Sequence, residues 1–373
     1  MCSRRRFLWG IPGVLSVISL CASAWAQMPM PVQSPEIQKD RQVTFRLRAP
    51  KATEVAVTGQ WAKQGPIKMT KGEGDVWSVT TGPIEPGVWE YSFQVDGLSM
   101  IDPGNTAIKP MREPRTSILQ IAGEPPLLTD FQNVPHGVVR QHTYFSKSLD
   151  RRRELTVYTP PDYDKAVEKK YPTLYLQHGM GDNQATWTAH GKAHWILDNL
   201  IAQGKAKPMV VVMMDGHAAI PGKADGQALF ESNTALFQKD LFEDVMPFVE
   251  ANYRVKADAE NRALVGLSMG GGQSLTIGLN NPDRFAWVGG FSSAVPKNEA
   301  ISSALNDPEA LNKKLKLLWI GCGKNDFLIK MNEQFIEQLK EKKIKYEWNQ
   351  SEGDHSWPVW RMYLSELAPK LFQ

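Results

Sequence analysis

The stretch Arg262-Ala263-Leu264-Val265-Gly266-Leu267-Ser268-Met269-Gly270 decides the fold of this chain. Its first residues are apolar enough for a buried strand, and residues 271–279 continue as a helix. A serine between two glycines at such a strand-to-helix turn is typical of a nucleophile elbow, which exposes the hydroxyl. Gly266 and Gly270 lack a Cβ, so the strand and the helix can pass close together. The spacing therefore predicts that Ser268 is a nucleophile.

A serine hydroxyl is a weak nucleophile that needs a base, and the base needs an orienting acid. His355 is the one histidine that follows Ser268, and it comes after the strand-like residues 345–350. Asp326 follows the apolar run 315–320, which puts it on the loop after the next-to-last strand. Three other aspartates lie between Ser268 and His355 and are weaker candidates: Asp283, Asp307 and Asp354. The order along the chain predicts Ser268, Asp326 and His355 as a catalytic triad.

Two backbone N–H groups are expected to hold the oxyanion. One is the N–H of Met269, which follows the nucleophile directly. The other comes from the loop His178–Asp182, called the oxyanion loop below, which follows a strand over residues 171–177. We assign it to Met180, with Gly179 as the alternative. The sequence contains no metal-ligand cluster, P-loop or dinucleotide fingerprint, so we expect no metal and no cofactor.

The first 26 residues predict an export signal. Arg4–Arg6 form a charged start, an apolar segment runs from Phe7 to about Cys21, and Ala24–Ala26 is a cleavage site. The start also resembles a twin-arginine signal. We therefore expect a periplasmic or extracellular protein, with no membrane contact in its mature form. Its 40 basic and 40 acidic residues would balance, which argues against a nucleic-acid partner.

The chain is long enough for two domains. Short alternating strands separated by Gly and Pro turns predict an all-β immunoglobulin-like sandwich over residues 37–122. Residues 123–139 are rich in proline and predict a linker. From 140 to 373, apolar strands alternate with helical stretches, which is typical of a doubly wound α/β sheet. The expected fold class is α/β, preceded by a small all-β domain.

The ordered motifs resemble a known family. Residues 141–373 resemble the esterase D-like branch of the α/β-hydrolases, specifically the feruloyl esterases of carbohydrate esterase family 1. The segments that carry this resemblance are Leu176–Asp182, Ile196–Ile201, Asn261–Gly271, Trp319–Asp326 and His355–Arg361. The resemblance implies the triad already predicted. The N-terminal part is similar to the E-set sandwich of family 48 carbohydrate-binding modules, through Gly74–Trp77, Trp89–Gly97 and Ile101–Asn105.

The resemblance implies an ester hydrolase that releases ferulate from plant cell-wall xylan, with feruloylated or acetylated saccharides as partners. Acetyl xylan, an enterochelin-type siderophore ester, acyl transfer and an inactive glycan-binding protein remain alternatives. Trp187, just after the oxyanion loop, and Trp360, beside His355, are candidates for stacking on a phenolic acyl group or a sugar. A place in the core is the alternative for both.

Overall fold

A computed structural model describes residues 31–219 and 226–373 of the chain. Residues 1–26, the predicted export signal, lie outside the described residues. No helix in the described ranges has the length and apolar character needed to cross a membrane. The described residues form two layered units, a β-sandwich followed by an α/β sheet, which confirms the predicted fold class.

The N-terminal unit packs two antiparallel sheets face to face. One has the strand order β1-β2-β6-β5, and the other has the order β4-β3-β7-β8 with β9 also pairing with β7. Their strands are β1 Glu36–Ile37, β2 Val43–Arg48, β3 Val55–Gly59, β4 Ile67–Lys68, β5 Thr70–Lys71, β6 Val76–Thr81, β7 Gly87–Val95, β8 Leu98–Met100 and β9 Ser117–Ile121. Alternate residues such as Phe45 and Phe93 point into a shared core, because successive strand side chains face opposite ways.

The second unit is an eight-stranded sheet in the order β10-β11-β13-β12-β14-β15-β16-β17. Pairing is antiparallel from β10 to β13 and parallel from β13 onward. Its strands are β10 Val138–Ser146, β11 Arg151–Thr159, β12 Thr173–Gln177, β13 Val210–Met214, β14 Arg262–Leu267, β15 Trp287–Phe291, β16 Leu317–Gly323 and β17 Glu347–Ser351. The central strands are buried on both faces, because an apolar core lies on each side of the sheet.

Helices cover both faces of this sheet. Their bounds are α1 Thr186–Ala189, α2 Ala193–Ala202, α3 Gly226–Asp240, α4 Met246–Asn252, α5 Met269–Asn280, α6 Ser302–Asn306, α7 Pro308–Lys314, α8 Ile329–Glu341 and α9 Trp357–Leu367. A π-helical turn over Leu241–Val245 joins α3 to α4. The carboxyl ends of the parallel strands lie along one edge, where functional loops collect in such sheets.

The predicted linker region packs on helix α2. The Asn199 side-chain amide donates to the carbonyl oxygens of Leu128 and Asp130, at 2.9 and 3.0 Å. The ring of His136 lies 2.9 Å from the Asp198 carboxylate. These contacts tie the chain between the two units to the α/β sheet.

Candidate active site

Ser268 occupies the sharp turn between β14 and α5. Its backbone has φ 53° and ψ −117°, a strained conformation for a residue with a side chain. The strain is held by hydrogen bonds on both sides. The Ser268 N–H donates to Phe291 O at 2.8 Å, and its carbonyl accepts from Gly272 and Ala294 N–H, each at 3.0 Å. The turn therefore keeps the hydroxyl away from the strand and the helix that it joins.

The two glycines of the motif have steric reasons to be there. A Cβ on Gly266 would overlap the carbonyl group of Gly270. A Cβ on Gly270 would overlap the carbonyl oxygen of His178. Helix α5, strand β14 and the loop after β12 therefore meet at van der Waals contact, which brings that loop to Ser268.

The structure brings the predicted triad together. His355 Nε2 lies 3.0 Å from Ser268 Oγ, and His355 Nδ1 lies 2.9 and 3.1 Å from the Asp326 carboxylate oxygens. Nδ1–H thus donates to Asp326, and the Nε2 lone pair is free to accept the serine proton. Burial raises the pKa of Asp326, but hydrogen bonds from His355 and the Leu328 N–H lower it by more. The net effect is a pKa below the ordinary value. Asp326 is therefore an ionised carboxylate fixed against the imidazole.

Two aromatic rings contact the His355 imidazole. Trp360 meets it edge-on with ring centroids 5.0 Å apart, and the Trp360 indole donates to Ser292 Oγ at 3.1 Å. Phe327, next to Asp326 in sequence, lies 4.4 Å away and is 76% exposed. The imidazole thus contacts one buried ring and one exposed ring.

The loop His178–Asp182 lies beside Ser268. A Cβ on Gly179 would lie 3.2 Å from the Ser268 Cβ. Within residues 31–219 and 226–373, the Met180 N–H donates to no backbone acceptor. The Met269 N–H belongs to the first turn of α5, where backbone donors have no partner within the helix. Both N–H groups assigned from the sequence therefore belong to segments that border Ser268.

Comparison with known proteins identifies the family. Residues 146–371 match the Esterase family, and residues 32–111 match carbohydrate-binding module 48, the isoamylase N-terminal domain. The first match spans more than half of the chain. The chain belongs to the Esterase family.

Individual relatives agree with this assignment. The chain is 33% identical to an endo-1,4-beta-xylanase/feruloyl esterase of Xylanibacter ruminicola over 91% of its own length, but it spans only 46% of that relative. A ferulic acid esterase from Anaeromyces mucronatus, solved in complex with ferulic acid, is 25% identical to this chain, with a TM-score of 0.57. The aligned region covers 65% of this chain and 93% of that esterase. The enterobactin esterase of Shigella flexneri shares the fold over 94% of this chain and 98% of its own, with a TM-score of 0.63 and 20% identity.

Two predicted substrate contacts are corrected. Trp187 is 1% exposed, donates to Gln177 O at 3.1 Å and packs edge-on against Trp357, so its ring offers no face to a substrate. Trp360 is also buried, and its ring meets the His355 imidazole edge-on. The rings lie inside because helices α1 and α9 of this Esterase-family chain pack together, which no local pattern shows. Met180 and Phe327 are exposed apolar side chains at the site.

His178, Asp215 and His217 form a polar cluster beneath the oxyanion loop. Their ligand-type atoms lie within 4.8 Å of one another, a spacing that a metal could use. The lone pairs are already engaged, however, because His178 Nε2 accepts from Gly216 N–H at 2.9 Å and His217 Nε2 accepts from Gly181 N–H at 3.2 Å. The cluster therefore holds the loop by hydrogen bonds, and its donor set does not fit a metal.

The N-terminal domain reaches the oxyanion loop through a buried ion-pair network. The Lys109 ammonium lies 3.1 Å from Glu90 Oε1 and 3.3 Å from Asp182 Oδ1. Burial raises the pKa of Glu90, but the contact with His190 and the charge on Lys109 bring it down to about 2. Burial also raises the pKa of Asp182, against the pull of Lys109. One lysine therefore joins a sandwich strand to the loop beside Ser268.

A cavity of about 660 Å³ is lined by Met180 and Met269, and residues of both domains contribute to its wall. Met111 forms a β-bridge with Asp182, and the Arg112 N–H donates to Gly181 O at 2.9 Å. Residues on its wall include Met111, Arg112, Met180, Phe230 and Met269. No sequence motif indicates that the sandwich domain contributes to the wall of this cavity. The contribution is evident only from the pairing of Met111 with the oxyanion loop.

Proposed function

We propose that this chain hydrolyses carboxylic esters with Ser268 as nucleophile. The observation that carries the proposal is the hydrogen-bonded series Ser268–His355–Asp326 at 3.0 and 2.9 Å. His355 Nε2 takes the hydroxyl proton while Oγ bonds to the ester carbonyl carbon. The carbonyl oxygen becomes an oxyanion, which the N–H groups of Met269 and Met180 stabilise.

The tetrahedral intermediate then collapses. The bond from the carbonyl carbon to the alcohol oxygen breaks, and His355 returns its proton to the leaving alcohol. Water enters, gives a proton to His355 and attacks the acyl-serine, which releases the acid and restores the Ser268 hydroxyl. Asp326 stabilises the imidazolium that forms in each half-reaction.

The proposed substrate is a hydroxycinnamate ester, such as ferulate on plant cell-wall xylan. Two relatives named as feruloyl or ferulic acid esterases support this assignment. The exposed ring of Phe327 beside His355 and the exposed side chain of Met180 suit an aromatic acyl group. We also propose that the chain is exported by residues 1–26, which N-terminal sequencing of the secreted protein would test.

The test compares methyl ferulate with methyl acetate, which share the same leaving group. We expect the full chain to favour ferulate in kcat/KM by at least about tenfold, or about 1.4 kcal/mol of transition-state binding. Ser268→Ala should abolish both reactions. Preference for acetate would identify a deacetylase instead, and no serine-dependent turnover of either ester would refute the proposal.

A matched pair of variants tests the acyl pocket. Phe327→Ala should lower kcat/KM for methyl ferulate more than for methyl acetate, because only the larger acyl group reaches the ring. Phe145→Ala removes a similarly exposed ring from strand β10 and serves as the control. Equal losses on both esters would remove Phe327 from the acyl pocket.

A further inference from the structure

Arg112 brings a positive charge from the N-terminal domain to the candidate active site. Its backbone N–H is bonded to Gly181 O, so its position is fixed relative to the oxyanion loop. Arg112 borders the 660 Å³ cavity lined by Met180 and Met269. It also borders a second cavity of about 270 Å³, which extends toward strand β11. Arg112 therefore lies where the two cavities adjoin.

The guanidinium of Arg112 has no carboxylate partner in the part of the chain that the structure describes. Among the residues that the structure describes, no Asp or Glu oxygen lies within 4 Å of it. Its neighbour Arg115 is paired with Glu113. An exposed guanidinium at a cavity wall can present its N–H donors to a ligand.

The second cavity is rich in arginine. Arg151 and Arg152 lie on its wall with Arg112. Arg153 also belongs to the wall, but Asp240 neutralises it at 3.2 Å and Asp215 lies 3.9 Å away. The Arg152 charge has only a loose, exposed contact with Glu154 at 3.7 Å.

The local field acts on neighbouring groups. Burial lowers the pKa of His217 against the opposing effect of its hydrogen bond to Asp215, and the positive charge of Arg112 lowers it further. His217 is thereby kept neutral, as its acceptance of the Gly181 N–H requires. Among the described residues, the wall of the second cavity carries four arginines and two acids, Glu154 and Asp215, so a negatively charged ligand group would be attracted there.

We propose that Arg112, with Arg151 and Arg152 across the adjoining cavity, forms a subsite for a carboxylate carried by the ester substrate. A guanidinium binds a carboxylate through two parallel N–H···O bonds, which fixes direction as well as distance. The subsite acts on substrate selection rather than on the chemical step, and it rests on the proposed esterase function. The carboxylate has two possible sources, a uronic acid on the saccharide or an acid group on the acyl chain.

The saccharide source is tested by binding, without turnover. The full chain carrying Ser268→Ala is titrated calorimetrically with xylotriose and with glucuronoyl-xylotriose. The acidic sugar should bind about tenfold or more tightly than the neutral one, because a charge-assisted pair is added. Arg112→Gln should bring the ratio close to one, and high salt should reduce it.

The acyl source is tested by turnover. The full chain is assayed with mono-4-nitrophenyl succinate and with 4-nitrophenyl butyrate, which share a leaving group and a chain length. A preference for succinate that Arg112→Gln removes would support the acyl source, and Arg112→Lys should restore only part of it. Arg41→Gln, a change at an exposed arginine paired with Glu85, is the control for both experiments.

A charged-to-neutral ratio near one in both experiments, or a preference that survives Arg112→Gln, would overturn the subsite. Failure of the esterase function is distinguishable from this result. In that case neither nitrophenyl ester would be hydrolysed, whereas the titration of the Ser268→Ala protein would still report on the binding of the charged sugar.

Discussion

Replacing Lys109 tests whether the N-terminal domain holds the oxyanion loop. Lys109→Met keeps most of the aliphatic stem but removes the ammonium between Glu90 and Asp182. The side chains of Lys109, Glu90 and Asp182 are 8%, 14% and 6% exposed, so water can replace little of the lost interaction. Breaking a buried ion pair on one side costs about 3–5 kcal/mol.

We expect the lower end of that range, about 3 kcal/mol, because other groups still contact Glu90. The Thr116 hydroxyl donates to it at 2.9 Å and His190 lies 3.2 Å away. Asp182 loses the charge that lowered its pKa, so that pKa should rise further above the ordinary value. An acid with a raised folded pKa is destabilising once it ionises, so the deficit should be largest at neutral pH and should shrink as the pH falls toward 4.

The assay is chemical unfolding followed by circular dichroism, together with kcat on methyl ferulate. Lys109→Met should also lower kcat by about tenfold, a fraction of the loss expected when an oxyanion donor is removed. Lys68→Met is the matched control, since its ion pair with Glu54 is exposed and contributes little. The double variant Lys109→Met/Asp182→Asn should recover part of the stability, because the uncompensated charge on the loop is gone.

Two results would refute this reasoning. A stability loss below about 1 kcal/mol, equal to that of Lys68→Met, would mean that the buried network is not coupled to folding. A full stability loss with unchanged kcat would mean that the sandwich domain docks on the loop without positioning it.

Three further predictions follow from the same geometry. Asp326→Asn should lower kcat by about 10⁴-fold with little change in KM, because the amide favours the wrong imidazole tautomer; a loss below tenfold in steady-state kinetics would contradict the triad. The pKa of Glu90 is lowered to about 2 from the usual 4.5, so Glu90 adds stability that is present above pH 4.5 and lost as the pH falls toward 2. Glu90→Gln should remove that pH-dependent part, as measured by denaturant unfolding at each pH. Gly270→Ala should abolish activity and lower the melting temperature, because its Cβ would overlap the His178 carbonyl, whereas Gly72→Ala meets only an ordinary contact.

The geometry around Ser268 could be predicted from sequence because it depends on the ends of consecutive strands. Ser268, Asp326 and His355 follow β14, β16 and β17, whose carboxyl ends share one edge of the sheet. The position of Asp326 after a strand end also distinguishes it from the other aspartates, which have different partners in the structure. Asp307 caps helix α7 by accepting from Ala310 N–H, and Asp283 pairs with Lys314.

The substrate-facing side chains could not be predicted in this way. An indole after the oxyanion loop suggests a stacking platform, but the burial of Trp187 depends on Trp357, which is 170 residues away in sequence. Phe327 had no signal beyond its place after Asp326, and it becomes a candidate only because its ring lies exposed against His355. Exposure at a site is a property of tertiary packing, and periodicity does not encode it.

The contacts of the oxyanion loop explain why its geometry belongs to two domains at once. From the α/β side, His178 and His217 hold the loop through Gly216 and Gly181 N–H groups. From the sandwich side, Lys109 and Met111 hold the same loop through Asp182. Removing one set would leave the loop supported on one side only, so its backbone donors would sample more positions relative to Ser268.

The aromatic residues of the sandwich are consistent with such a structural role. Trp61 stacks on Phe45 in the sandwich core, with ring centroids 5.6 Å apart. The indoles of Trp77 and Trp89 donate to backbone oxygens of their own domain, at 3.0 and 2.8 Å. These rings are engaged within the sandwich, whereas Lys109 and Arg112 contact the loop of the other domain. Changes in substrate selection are therefore expected from the segment that carries Lys109 and Arg112, and not from the sandwich tryptophans.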